Sequence, residues 1–201
     1  MLARLTALAV AFALTSCVTA ENSLTQNDIA TMKLTGVTVS YAPNAMVQWE
    51  EGMRAYATAK AIPEEQIPTA AYAPEGRAYV QNMLAPHIKA GIERAMAGQL
   101  NGARPVRLNV TVRSFQIASA AQAILIANDR SMIADVDLVD ARTGAVIIAN
   151  PKLSVALPAP SGLIGAAVQA AFDSSNDQSV TTRIVDAYGR EYRRWLLRET
   201  S

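Results

Sequence analysis

Few residues in this chain are equipped for chemistry. Its 201 positions hold one histidine, His87, and one cysteine, Cys17. A zinc site, a Cys-His pair or a Ser-His-Asp triad cannot be assembled from so small a supply. His87 follows Pro86 within a segment of helical periodicity and reads as an exposed helix histidine. Asp135-Val136-Asp137 has the spacing of a metal-binding DxD motif, but any strand with an acidic wet face produces the same spacing. Arg107 and Arg113 fall on the same face of the adjoining strand pattern, so cross-strand ion pairs account for the acids without a metal. Glu50-Glu51 has no partner in the sequence pattern and is assigned to solvent. Gly162-Leu-Ile-Gly165 lacks the Lys-Ser/Thr of a phosphate loop and fits close helix packing. The expectation is a protein that is not an enzyme, with no catalytic residues, no metal and no cofactor.

The surroundings of Cys17 carry a different chemistry. Arg4 is followed by an apolar run from Leu5 to Leu14 and then by small residues. A run of about 10 apolar residues is too short to span a bilayer, which takes roughly 20. One basic residue, a short apolar core and small residues is instead the layout of a secretory signal. Leu14-Thr15-Ser16-Cys17 resembles the lipobox of bacterial lipoproteins throughout. That resemblance implies a signal peptide over residues 1–16, cleavage before Cys17, a diacylglyceryl group on its thiol and usually a further acyl (palmitate-type) chain on the new amino terminus. Two or three acyl chains hold a protein at a membrane without a transmembrane helix, whereas one binds marginally. Val18 in the position after the cysteine resembles the outer-membrane sorting preference, so a periplasm-facing chain anchored at the outer rather than the inner membrane is expected. Val18-Thr19-Ala20 also fits ordinary signal cleavage, which would leave a soluble chain starting at Glu21.

Composition narrows the partners. Residues 1–16 contain Arg4 and no acid, so the chain from Cys17 onward balances 17 basic against 17 acidic residues. Nucleic acid as the main partner is disfavoured, since phosphate binding calls for a basic excess. With its one cysteine acylated, the chain forms no internal disulfide, and the core must stabilise the fold unaided.

The elements follow from periodicity. Residues 17–31 are polar and read as a lipidated amino terminus and flexible tether, and residues 32–201 as a single domain. Lys33 to Tyr41 is a strand, with Val37, Val39 and Tyr41 on one face. Pro43-Asn44 opens a helix in which Met46, Trp49, Met53 and Tyr56 recur at helical spacing, and 61–74 is a loop broken by Pro63, Pro68 and Pro74. Glu75 to Gly98 is a helix with Val80, Leu84, Ile88, Ile92 and Met96 in one stripe, continuous past Pro86. Val106, Leu108, Val110 and Val112 alternate with polar residues, as in a sheet with one buried and one wet face. Ser131 to Asp140 is the neighbouring strand, with Met132, Ala134, Val136 and Leu138 inward. The hairpin Asp140 to Gly144 returns the chain into Ala145–Leu157, with Ile147, Leu153 and Val155 inward and Pro151 demanding a sheet edge. Gly162 to Phe172 reads as a short apolar helix, and Ile184, Tyr188, Tyr192, Trp195 and Leu196 form the stripe of a last, arginine-rich one.

This order predicts an α+β two-layer sandwich. One strand, a right-handed crossover helix and a three-stranded antiparallel meander form a four-stranded mixed sheet packed by helices. Two apolar segments, 118–127 and 157–172, then converge on one end of the sheet. Ile124, Leu125, Ile126, Leu163 and Ile164 are the candidate partner-binding residues. Either they pack on each other as a satellite core or they form an exposed patch for a partner.

Arg104 to Leu108, Ala134 to Gly144 and Tyr192 to Leu196 resemble uncharacterised proteobacterial lipoproteins. More loosely they are similar to envelope lipoproteins of the curli-secretion and penicillin-binding-protein-activator kind. The resemblance implies a small sheet flanked by helices that is presented to protein partners. The expected function is a non-catalytic, lipid-anchored envelope protein serving as a protein-binding accessory subunit. The alternatives are a lipoprotein that binds an apolar small molecule or lipid, and an enzyme whose site the sequence does not display. Replacing Cys17 by Ser should move the protein from the membrane fraction to the soluble fraction or arrest it unprocessed; unchanged fractionation of a processed chain refutes the anchor.

Overall fold

A computed structural model describes residues 20–117, 130–157 and 179–199. The chain enters through a short helix, α1 (Gln26–Thr31), and runs into a long strand, β1 (Met32–Trp49). Helix α2 (Glu50–Lys60), a 3-10 turn (Glu64–Gln66) and helix α3 (Ile67–Tyr72) lead to the longest helix, α4 (Pro74–Met96). Strands β2 (Arg104–Ile117), β3 (Arg130–Asp140) and β4 (Val146–Leu157) follow, and α5 (Val180–Leu197) closes the described chain. The sheet order is β1-β2-β3-β4, with β1 parallel to β2 and the other pairs antiparallel. This is the expected α+β arrangement: a crossover through α4 followed by a meander.

The central strands behave as their alternation requires. Val106, Leu108, Val110 and Val112 of β2 are wholly buried, as are Met132, Ala134 and Leu138 of β3, and Val136 is almost so. The stripe of α4 and the Ile184, Tyr188, Tyr192 and Leu196 stripe of α5 cover this face of the sheet. The two helices pack through small residues. A Cβ on Gly189 would sit 2.8 Å from the Ala95 Cβ and 2.9 Å from the Gly91 carbonyl oxygen, and one on Gly91 would sit 2.7 Å from Val185 Cγ2. The buried Tyr188 hydroxyl donates to the Ala134 carbonyl at 3.0 Å, fixing α5 to β3. At the hairpin, the Asp140 carboxylate accepts from the Arg142 and Thr143 amides, both at 3.1 Å, and Gly144 takes a φ of +76°.

Four local expectations are corrected. Met46 to Trp49 are strand, not helix. They pair with Ser114 to Ile117 of β2, and the helical spacing of Met46, Trp49 and Met53 arises where a strand end meets the start of α2. Pro43-Asn44 belongs to an irregularity in which β1 has four residues where β2 has one. Pro lacks the donor a ladder needs, so the chain bows out there and re-pairs at Met46. Within 61–74, α3 forms because Pro68 stands in its first turn, where its missing N–H is an orphan in any helix. In β4, Ile148 rather than Ile147 takes the inward position opposite Leu138, while Leu153 and Val155 point inward as expected. The phase flips at Pro151-Lys152, where the ladder slips and Lys152 adopts a φ of +55°.

The fourth correction concerns the entry segment. Residues 20–31 are docked on α5, not free. The last carbonyls of a helix have no partner within it, and side chains from the entry segment supply them. Asn22 Nδ2 donates to the carbonyls of Trp195 and Leu196 at 2.9 and 2.8 Å, and Gln26 Nε2 to that of Leu197 at 3.1 Å. Trp195 Nε1 donates to the Ala20 carbonyl at 2.6 Å, and Leu24 and Ile29 are buried. Thr25 and Asp28 form a reciprocal capping box on α1.

Cys17, Ile124, Leu125, Ile126, Leu163, Ile164 and the helix expected over Gly162 to Phe172 lie outside the described residues. Gly189→Ala should lower the unfolding free energy by about 2 kcal/mol, as overpacking of a close backbone contact does, read as a lowered urea midpoint; an unchanged midpoint shows that the helices can separate at no cost.

Candidate functional site

Strand register places the ends of β1, β2 and β4 and the start of β3 at one end of the sheet: Trp49 pairs with Ile117, Gln116 with Ser131, and Arg130 with Leu157. The connections carrying Ile124 to Ile126 and Leu163-Ile164 therefore leave the described chain from the end the sequence identified. At the same end of the sheet, reaching Ile117, the structure shows a cleft that sequence reasoning did not find.

Two adjoining cavities of about 370 and 240 Å³ share Met53 and Tyr72. The larger lies between the bowed part of β1 (Asn44 to Val47) and the start of α4; the smaller lies between α2, α3 and Ile117. Met46 and Tyr72 are 57% and 46% exposed, two neighbouring large apolar side chains open to solvent on one cavity. Gln116 Nε2 contacts Met46 Sδ at 3.2 Å. Charged groups line the opening: Arg54, which pairs with Glu50 at 2.8 Å and Glu64 at 3.1 Å, borders the smaller cavity, and Arg77 the larger.

The cleft is rigidly framed. Trp49 Nε1 donates to the Thr181 hydroxyl at 3.0 Å in the interior, tying the end of β1 to the first turn of α5. Gly52 lies directly beneath the Trp49 indole, where a Cβ would sit 2.4 Å from the ring. Gly76 lets the first turn of α4 approach α3, with the Ala70 carbonyl oxygen 2.3 Å from its Cβ position. The partly buried Tyr41 hydroxyl donates to the Gln81 carbonyl at 2.8 Å, and burial raises its pKa well above the usual value. His87 is exposed, its ring edge-on to Trp49 at 5.7 Å.

The acidic strand face resolves into one pair and one unpaired carboxylate. Arg113 Nε donates to both oxygens of Asp135 at 2.8 Å, with its Nη2 at 2.7 Å. The Lys152 amide at the β4 irregularity donates to the same carboxylate at 2.8 Å. Burial alone would raise the Asp135 pKa; the Arg113 hydrogen bond, the Lys152 amide and the two positive charges outweigh it and hold the group below the usual value. Arg107 does not pair with Asp137; its Nε donates to Asn109 Oδ1 at 3.2 Å. Burial, then the neighbouring Asp135 charge, raises the Asp137 pKa. Among the described residues no three of His, Cys, Asp or Glu stand together as a metal site. Among the same residues no helix is long and apolar enough to cross a membrane.

A family model described as a family of unknown function (DUF6778) matches residues 74–201. No curated protein matches the chain. Among solved structures, a candidate lipoprotein from Caulobacter crescentus CB15 is 20% identical, covering 57% of this chain and 81% of that one, with a TM-score of 0.33. A Xanthomonas campestris protein of family DUF330 is 18% identical, covering 59% of this chain and 61% of that one, with a TM-score of 0.37. The PelC dodecamer subunit of Paraburkholderia phytofirmans is 10% identical, covering 86% and 94%, with a TM-score of 0.37.

Because the Asp135 pKa is depressed in the folded state, its contribution is present above the unfolded value and disappears as pH falls through the folded one. Asp135→Asn should cost about 1 kcal/mol at pH 7, as a half-exposed charge-assisted pair does. In urea melts the difference should shrink below the ordinary carboxylate range; a pH-independent difference means that the pair is not what stabilises.

Proposed function

We propose a function for this chain, which belongs to the family of unknown function DUF6778: it is a non-catalytic, lipid-anchored protein of the cell envelope that binds a protein partner through the cleft around Met53 and Tyr72. The anchor reading rests on the lipobox at Leu14 to Cys17 and the short apolar run before it. Acylation of Cys17 leaves the domain facing the periplasm, on the outer rather than the inner membrane by the residue after the cysteine.

The observation that carries the binding reading is the exposure of Met46 and Tyr72 on a framed, charge-rimmed cleft. Methionine, tyrosine and arginine are the side chains enriched where proteins meet, with a polar rim around an apolar centre. Methionine adapts its shape to what it contacts, and Tyr72 offers a large apolar surface with a polar tip. The cavities are half-open, whereas a small-molecule site encloses most of its ligand's surface. A lipid or apolar small molecule is therefore the second reading.

The test is capture from detergent-solubilised membranes. The wild type should retain a protein partner that Met46→Glu and Tyr72→Glu each reduce at least tenfold, while both variants keep the wild-type urea midpoint. Lipid co-purifying in place of protein, and lost in the same variants, would support the second reading. Equal capture by all three proteins removes the cleft from the function.

A further inference from the structure

The entry segment and the arginines of α5 occupy one place, and their coincidence has a geometric cause. The carbonyl of Ala20 is held by Trp195 at 2.6 Å, and that of Leu24 by Arg198 Nη1 at 3.1 Å. Ala20 is three residues from Cys17, a link that spans at most about 11 Å when fully extended. The Trp195 end of α5 is thus held against a backbone carbonyl no more than that distance from Cys17, the point where acyl chains would enter a bilayer. Between residues 190 and 199 stand Arg190, Arg193, Arg194 and Arg198 against Glu191 and Glu199.

We propose that the C-terminal half of α5 docks on the anionic headgroups of the membrane that holds Cys17, with Arg190 and its neighbours as the contact surface. This rests on the acylation of Cys17. Arg190 is exposed and pairs with no carboxylate among the described residues, while Arg194 pairs with Glu191 and Arg193 with Glu199 at 3.3 Å. Arg190, Arg193 and Arg94 line a cavity of about 280 Å³ together with Asp186, which Arg94 holds at 2.6 Å. The Arg193 Nε is buried and has no hydrogen-bond partner among the described residues. Guanidinium groups bind phosphate oxygens bidentately, and arginines at a helix C-terminus also complement its dipole. Trp195, partly buried beside the entry segment, is of the type that sits at the membrane interface. The cleft lies toward the other end of α5, since Trp49 bonds to Thr181 in its first turn. Fourteen helical residues separate Thr181 from Trp195, or about 21 Å along the axis. Docking of the C-terminal half therefore leaves the cleft about 21 Å along the helix from the contact, at the end remote from the anchor.

Because Cys17 is the only cysteine, an introduced thiol in the acylated protein takes a fluorophore alone. The experiment places one at Asn27, on α1 at the docked end, or at Glu65, beside the cleft; both are exposed. The acylated protein is reconstituted in phosphatidylcholine vesicles with or without phosphatidylglycerol, with a nitroxide-headgroup lipid as quencher. The label at Asn27→Cys should be quenched severalfold more than that at Glu65→Cys, and more so with phosphatidylglycerol. Arg190→Gln and Arg194→Gln should each lower the ratio of docked to undocked protein about fivefold, with unchanged thermal melts. Equal quenching at the two labels in acylated protein overturns the docking and leaves the anchor standing. Quenching indifferent to phosphatidylglycerol and to both substitutions overturns the role of the arginines. Mass spectrometry that finds no acyl chain on Cys17 overturns the anchor, and the docking with it.

Discussion

The structure depends on the close passage of α5 over α4. With no Cβ at Gly91 and Gly189, the two helices approach to backbone contact and cover the sheet face on which β2 and β3 present their buried rows. A sheet with one apolar face must be covered, and two helices held this closely can do it while presenting unbroken stripes. The rest is hung on α5: Tyr188 ties its middle to β3, Thr181 ties its start to Trp49, and its last carbonyls receive the side chains of the entry segment.

Where one physical term dominated, the sequence was readable. Strict alternation in Val106 to Val112 leaves a strand one inward face, and the i+4 stripes of α4 and α5 leave a helix one. Asp140 and Gly144 specify their turn by a side-chain acceptor and a positive φ. The misses arose where two terms competed. Met46, Trp49 and Met53 carry helical spacing, but pairing with the free edge of β2 claims the first two of them. The one-residue slip at Pro151-Lys152 exchanges Ile147 for Ile148, because strand periodicity cannot announce a bulge in advance. Residues 20–31 are polar enough for a tether; what orders them is demand from elsewhere, the orphan carbonyls of a helix some 170 residues away.

The candidate site followed the same division. Apolar composition pointed to residues outside the described chain, and register shows only that β2 and β4 end on the same side of the sheet. The cleft itself was hidden, since its members come from β1, α2, α3 and α4, each unremarkable alone. The available signal was two methionines and a tyrosine near prolines, and that signal needs the bowed path of β1 to become a surface. Asp135 and Asp137, alike in sequence, differ because the Lys152 amide and Arg113 reach only the first.

The irregularities of the two outer strands have a consequence for how copies of the protein can meet. A sheet of four strands has two open edges, each a template for pairing with another copy. On β4 the edge carries Pro151, which cannot donate, and Lys152 with its backbone turned to positive φ. On β1 the ladder slips between Leu34 and Val37 and again between Tyr41 and Met46. Neither edge offers a long, flat run of hydrogen-bonding groups in register. Copies gathered side by side at high local density can therefore meet by side-chain surfaces, but they are denied the strand-to-strand zippering that would turn such a gathering into fibres.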